Sequence, residues 1–131
     1  MAKSLVCTHA RQIWNELGPG LSERMYHNAM EVCLRKSFLA YETERIMTVS
    51  FDGHVLGNLR ADLIVERGLV VELKSVKALK DEHRTQVKMY LKLLGLDSAV
   101  LINFPCGLAT EPEIEFIEQS PPPHILPSLR G

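Results

Sequence analysis

The sequence predicts an α/β domain in which a mixed β-sheet of about five strands is flanked by α-helices. Three observations predict it. Apolar residues recur at 3–4-residue spacing in three stretches, the mark of helices with one buried face. Shorter stretches alternate, or run continuously apolar, as strands do. Their order is helix, helix, three strands, helix, two strands, which one sheet with helical layers accommodates. The 131 residues, 46% of them hydrophobic, suffice for one core.

A first helix is expected from about residue 8 to 17, with Thr8 as its N-cap and Ile13, Trp14 and Leu17 on its apolar side. Gly18-Pro19-Gly20 stops it. A second runs from about Leu21 to Phe38, carrying Leu21, Met25, Ala29 and Val32 at helical spacing, widened by Tyr26, Met30 and Cys33. Ile46, Val49 and Phe51 mark a strand over 44–51, and Asp52-Gly53 signals a hairpin turn. Strands over 59–65 and 69–74 follow, joined by Glu66-Arg67-Gly68. A helix from about Leu79 to Leu94 ends at Gly95. Residues 98–104 form an almost wholly apolar strand, and the alternation over 113–118 fits a half-exposed edge strand. These elements make a single domain over 1–118. The tail over 119–131, with Pro121-Pro122-Pro123 and Pro127, is expected to be extended or disordered.

Several classes are excluded or disfavoured by composition. No apolar run approaches the ~18–20 residues of a membrane span, and the N-terminus lacks the apolar core of a secretory signal. A net charge of -1 argues against a polycation that coats nucleic acid, so any such contact must come from a local site. Cys7, Cys33 and Cys106 are odd in number and far apart, as expected of reduced thiols in an intracellular protein.

The register of the 59–74 hairpin carries the chemistry. A three-residue turn pairs Val65 with Leu69, Leu63 with Val71 and Ala61 with Leu73, placing apolar residues together. The same register sets Asp62 opposite Glu72 and Arg60 opposite Lys74. Facing carboxylates have Cβ atoms about 4.5–5.5 Å apart and repel, so a proton, a cationic side chain or a metal must compensate. A structural ion cluster with Lys74 and Arg60 is one reading. A hard divalent cation is the stronger one, since Mg²⁺ is typically held by one or two carboxylates plus water and phosphate.

Asp62 with Glu72-Leu73-Lys74 resembles the D…E-x-K pattern of the PD-(D/E)XK nuclease superfamily. Gly20-Leu21-Ser22-Glu23-Arg24-Met25-Tyr26, after Leu17-Gly18-Pro19, is similar to the signature of its GxxExxY group. Arg60-Ala61-Asp62-Leu63 and Val71-Glu72-Leu73-Lys74-Ser75 resemble the group's two strand motifs. Gln86-Val87-Lys88-Met89-Tyr90 resembles the QxxxY motif of RecB-like nucleases, and Leu101-Ile102-Asn103-Phe104 the next core strand. The resemblance spans roughly 10–118.

It implies a restriction-endonuclease-like core and a metal-dependent nuclease acting on nucleic acid, DNA ahead of RNA. Asp62 and Glu72 would bind Mg²⁺ or Mn²⁺ with the Leu73 carbonyl as a further ligand, and Glu23 would reach the site directly or through water. Lys74 would activate the attacking water, and Gln86 and Tyr90 would line the site. Apart from the resemblance, the basic residues Arg60 and Lys77, near the site, are candidates to meet substrate phosphates.

Each residue also has an ordinary explanation. An acid such as Glu23 in a first helical turn is favoured by the macrodipole. Gln86 and Tyr90, four apart on one face, also read as a packed aromatic with an amide neighbour. Tyr26 reads as core, and His83 as a satisfied helix residue. Lys80, Arg84, Lys88 and Lys92 form either a solvated face or a phosphate track. The rival to a nuclease is a catalytically inactive module of this fold that binds nucleic acid or protein. With so little chain beyond the core, a second copy or another protein is expected to complete the substrate groove.

Overall fold

A computed structural model describes residues 1–120; the proline-rich segment expected to be extended lies, from residue 121 on, outside them. The described chain runs α1 (Ala2–Leu17), α2 (Glu23–Lys36), β1 (Tyr41–Phe51), β2 (His54–Val65), β3 (Leu69–Lys74), α3 (Asp81–Leu94), β4 (Ser98–Asn103) and β5 (Glu113–Glu118). One five-stranded sheet has the order β1-β2-β3-β4-β5. Only β3 and β4 are parallel, and α3 makes the long crossover such a pair requires. The expected mixed α/β sheet is therefore present, with Glu113–Glu118 at its edge.

Alternation splits the core into two layers. Leu69, Val71 and Leu73 of β3, with Val100 and Ile102 of β4, pack against α1 and α2. Val70, Ala99 and Leu101 point the other way, against Val87 and Leu91 of α3. The first layer centres on Phe104, whose ring stacks on Tyr26 at 4.3 Å and 8° between planes.

Element boundaries differ from expectation where a local signal misleads. α1 begins at Ala2 because Val6 and Cys7 belong to its buried stripe. Thr8 lies inside the helix, its hydroxyl donating to the Ser4 carbonyl rather than capping. In α2 the cap is Ser22, whose Oγ accepts from the Met25 N–H at 3.2 Å. Its buried stripe is Tyr26, His27, Met30 and Leu34, leaving Met25 and Val32 exposed. Both strands of the first hairpin extend well beyond their predicted lengths. Asp52 (φ 51°) and Gly53 (φ 77°) form its turn, where two consecutive positive-φ residues suit the strand twist.

The β2–β3 register is the predicted one, pairing Val65 with Leu69, Ile64 with Val70 and Leu63 with Val71. Its continuation is not. Ala61 packs with Met47 and Tyr90 beside α3, whereas Leu63 faces α1 and α2, so the two do not share a face and Ala61 does not meet Leu73. Glu44 explains the switch. It stands across from Asp62, between the pairs Thr43–Leu63 and Arg45–Ala61, with a left-handed φ of 57° that breaks the alternation.

Candidate active site

The turn before α2 is built to deliver Glu23. Tyr26, fully buried, donates its hydroxyl hydrogen to the Gly18 carbonyl at 2.6 Å and accepts from the Leu21 N–H at 3.3 Å. Ser75, just past β3, donates to the Leu21 carbonyl at 3.1 Å. The first anchor closes the turn onto α2, and the second ties it to the end of β3. Gly20, at φ 106°, takes a backbone conformation there that side chains disfavour.

The two strand carboxylates meet where the β2–β3 ladder stops. The Asp62 N–H donates to Glu72 Oε1 at 2.6 Å, and the Leu73 N–H donates to Asp62 Oδ2 at 2.8 Å. Each acid therefore caps the backbone of the opposite strand. The compensation expected from a cation is supplied, for one oxygen of each, by a peptide dipole. Asp62 Oδ1 and Glu72 Oε2 accept no hydrogen bond from the described residues. Glu72 is only 2% exposed, yet Oε2 is not sealed from solvent. Burial, reinforced by Asp62, holds its carboxyl well above the usual carboxylate range, against the pull of the Asp62 N–H and Lys74.

Glu23 joins the same field. Desolvation raises its pKa, the Asp62 charge adds to the rise, and Lys74 opposes it. Tyr90 is also pushed up, by burial first and then by Glu72, Asp62 and Glu23. Lys74 leaves the end of β3 and donates from Nζ to Gln86 Oε1 at 2.9 Å. Glu23, Asp62, Glu72, Lys74, Gln86 and Tyr90 thus converge from α2, β2, β3 and α3. Among the described residues, no three His, Cys, Asp or Glu side chains close tightly enough to hold an ion unaided.

Two predicted substrate residues lie elsewhere. Arg60 is on the rim, its Nη1 3.6 Å from Glu44 Oε1. Arg24 pairs with that same oxygen, so one glutamate gathers two guanidiniums beside Asp62. Lys77 is exposed in the loop after β3 and has no ion pair among the described residues. The basic stripe of α3 is interrupted, because Arg84 grips both oxygens of Glu115 at 2.7 and 2.8 Å and also Asp81. His83 is the satisfied helix residue expected: its Nδ1 accepts from the Lys80 N–H at 2.9 Å.

One positioning residue escaped the sequence reading. Asn103, wholly buried, accepts from the Val76 N–H at 2.9 Å and donates to the Val76 carbonyl and to Glu113 Oε1. Glu113 Oε1 in turn accepts from the Leu79 N–H, so the loop between Lys74 and α3 is pinned to the neighbouring strands. The signal was an amide inside the apolar run Leu101-Ile102-Asn103-Phe104, since buried polar groups need partners.

A family model described as the PD-(D/E)XK nuclease superfamily matches residues 2–116. The chain belongs to the PD-(D/E)XK nuclease superfamily. The acids of β2 and β3 and the lysine two residues after Glu72 occupy the strand positions from which its D…E-x-K resemblance was read. Among solved structures the fold is similar to the crystal structure of SSO0001, with a TM-score of 0.58 and 23% identity. That likeness covers 73% of this chain and 49% of the other, so the chain spans about half the length of that protein. A search of curated proteins finds no match. No helix among the described residues is long and apolar enough to cross a membrane.

Proposed function

We propose that this chain is a divalent-metal-dependent nuclease hydrolysing phosphodiester bonds in nucleic acid, DNA ahead of RNA. The observation that carries the reading is the arrangement of Asp62 and Glu72. Each has one oxygen held by the opposite strand's backbone and one without a protein partner. Two carboxylates fixed in this way suit Mg²⁺ or Mn²⁺, which keep several waters and need no closed protein cage. Asp62 and Glu72 would hold the ion with the Leu73 carbonyl, and Glu23 would contribute from α2, as the GxxExxY resemblance implies. Bound there, a divalent ion supplies positive charge against that developing on the phosphate.

This chain's own residues do the rest. Lys74, steadied by Gln86, orients the attacking water with its remaining N–H donors. The water oxygen bonds to phosphorus while the bond to the leaving sugar oxygen breaks; solvent takes the proton the water loses and supplies one to the departing oxygen, which leaves as a hydroxyl. Tyr90 and Gln86 form the wall on the α3 side. Arg60 and Lys77 meet flanking phosphates, Arg60 once it exchanges Glu44 for the strand.

Calorimetry with Mg²⁺ and Mn²⁺, run beside cleavage of single-stranded, duplex and branched DNA and of RNA, tests this. Wild type and Lys74→Ala should bind metal, whereas Asp62→Ala and Glu72→Ala should not, and only wild type should cut. If wild type binds no divalent ion at millimolar concentration and cuts nothing, the nuclease reading is lost. Equal nucleic-acid binding by wild type and Lys74→Ala, with cleavage by neither, would favour the inactive binding module.

A further inference from the structure

Beside the strand acids lies a second group of charges. Arg24 follows Glu23 in α2, Arg60 precedes Asp62 by two residues on β2, and Glu44 of β1 stands across from Asp62. Arg24 Nη2 and Arg60 Nη1 both approach one atom, Glu44 Oε1, the second at 3.6 Å. The irregular backbone at Glu44 makes that meeting possible. Under unbroken alternation Arg60 would share the face of Ile64, which packs against α3. The left-handed φ at Glu44 accompanies a switch that turns Ala61 toward α3 instead. Its neighbour Arg60 thereby points to the α2 side and reaches the oxygen that Arg24 holds.

Ion pairing for stability does not account for this arrangement. Arg24 and Arg60 are exposed and Glu44 is half-buried, where such pairs contribute little. Two cations share one oxygen, while Glu44 Oε2 takes no hydrogen bond among the described residues. One carboxylate against two guanidiniums leaves a net positive charge. A guanidinium also carries five N–H donors, of which Arg24 uses one on Glu44. Arg60, at 3.6 Å, is beyond hydrogen-bond distance and uses none there. Glu44 foremost, with Asp62 behind it, holds Arg24 above the ordinary arginine range, so the strand acid's charge reaches this guanidinium. Yet among the described residues neither arginine pairs with Asp62. Glu44 keeps both cations beside the strand acids rather than on them.

We propose that Arg24 joins Arg60 in a two-arginine subsite for the backbone phosphate next to the scissile one. The inference rests on the nucleic-acid reading of the site and deepens it: the strand acids serve the phosphate that is cut, and the arginines hold its neighbour. Planar guanidiniums match phosphate oxygens two at a time. Arg60, loosely held, turns to the phosphate, and Arg24 offers the donors that Glu44 does not use. Both contacts go to the backbone, so the subsite sets where the strand lies and is indifferent to base sequence.

Fluorescence anisotropy with labelled single-stranded and duplex oligodeoxynucleotides tests it. The Lys74→Ala chain is used, in millimolar Mg²⁺ and again in EDTA, with circular dichroism confirming that each variant folds. Adding Arg24→Ala or Arg60→Ala should weaken binding about tenfold. Each should also reduce the slope of log affinity against log salt by about 0.7 on single strands or about 0.9 on duplex, the mark of one lost phosphate contact. Arg35→Ala, an exposed arginine in the last turn of α2 paired with Glu31, should change neither. In a Glu44→Gln background the loss from Arg24→Ala should persist. If it vanishes there, Arg24 acts only by neutralising Glu44, and the proposal is overturned. Affinity and slope indifferent to both substitutions, an equal loss with Arg35→Ala, or no binding of either oligonucleotide under either condition also overturns it. Metal binding and cleavage by wild type decide the nuclease reading separately, and a chain that binds through these arginines without cutting keeps the subsite and loses that reading.

Discussion

Asp62→Asn distinguishes a metal site from a self-contained ion cluster, because the two predict opposite changes in stability. Carboxylates facing across strands lie about 5 Å apart, and at an effective dielectric of about 20 their repulsion is about 3 kcal/mol. The raised pKa of Glu72 eases part of this, since the group takes up a proton more readily. Asparagine retains an oxygen to accept from the Leu73 N–H, at a loss of about 1 kcal/mol for the missing charge. The metal-free variant should therefore be more stable than wild type by about 1 kcal/mol, roughly 3–5 °C in melting temperature. Urea unfolding in EDTA and calorimetric scans with and without millimolar Mg²⁺ provide the readout. Wild type should gain stability from the ion by mass action, and the variant should not. If Asp62→Asn instead destabilises the metal-free protein by about 1 kcal/mol or more, Asp62 is already compensated, and the ion-cluster reading stands.

Tyr26→Phe strips the Gly18 carbonyl and the Leu21 N–H of their partner, so it should cost about 1–3 kcal/mol in urea unfolding. If Glu23 works from α2, the variant should also slow cleavage. Asn103→Ala should cost about 2–4 kcal/mol, and hydrogen exchange should quicken at the Val76 and Leu79 amides, because both lie in the loop that Asn103 and Glu113 hold. Arg84→Met should lower the urea midpoint modestly at neutral pH, as loss of a partly exposed pair does. Glu115 is held below the usual carboxylate range by Arg84, so the pair's contribution is complete above that range and is lost as pH falls through the lowered value. The gap between wild type and Arg84→Met should therefore be constant near neutrality and close in acid. A gap that persists at pH about 2 would mean that Arg84 acts through packing instead.

The legible part of this protein is the part that obeys a period. Leu63, Ile64 and Val65 meet Val71, Val70 and Leu69 as predicted, because alternation and a short turn leave one register that buries both strands. The convergence of Gln86 and Tyr90 with the strand acids follows from a four-residue helical step. Where the period is absent the sequence is mute. His54 to Asn58 have no alternation, since they have no core to face, and the sequence predicts no strand over 52–58.

The least legible element is also the one on which the site depends. A glutamate carries no mark of left-handed backbone, yet Glu44 adopts it across from Asp62. At that position Ala61 turns toward α3 and the β2–β3 ladder gives way to carboxylate-to-backbone bonds. Sequence reasoning could set Asp62 against Glu72 and demand a compensating charge. It could not choose the compensator, which depends on where the ladder ends. The choice has a consequence: a lysine bridging both acids would have occupied the oxygens that the peptide N–H groups leave unbonded. Peptide N–H groups hold the opposite oxygens instead, fixing both side chains while Asp62 Oδ1 and Glu72 Oε2 take no hydrogen bond among the described residues.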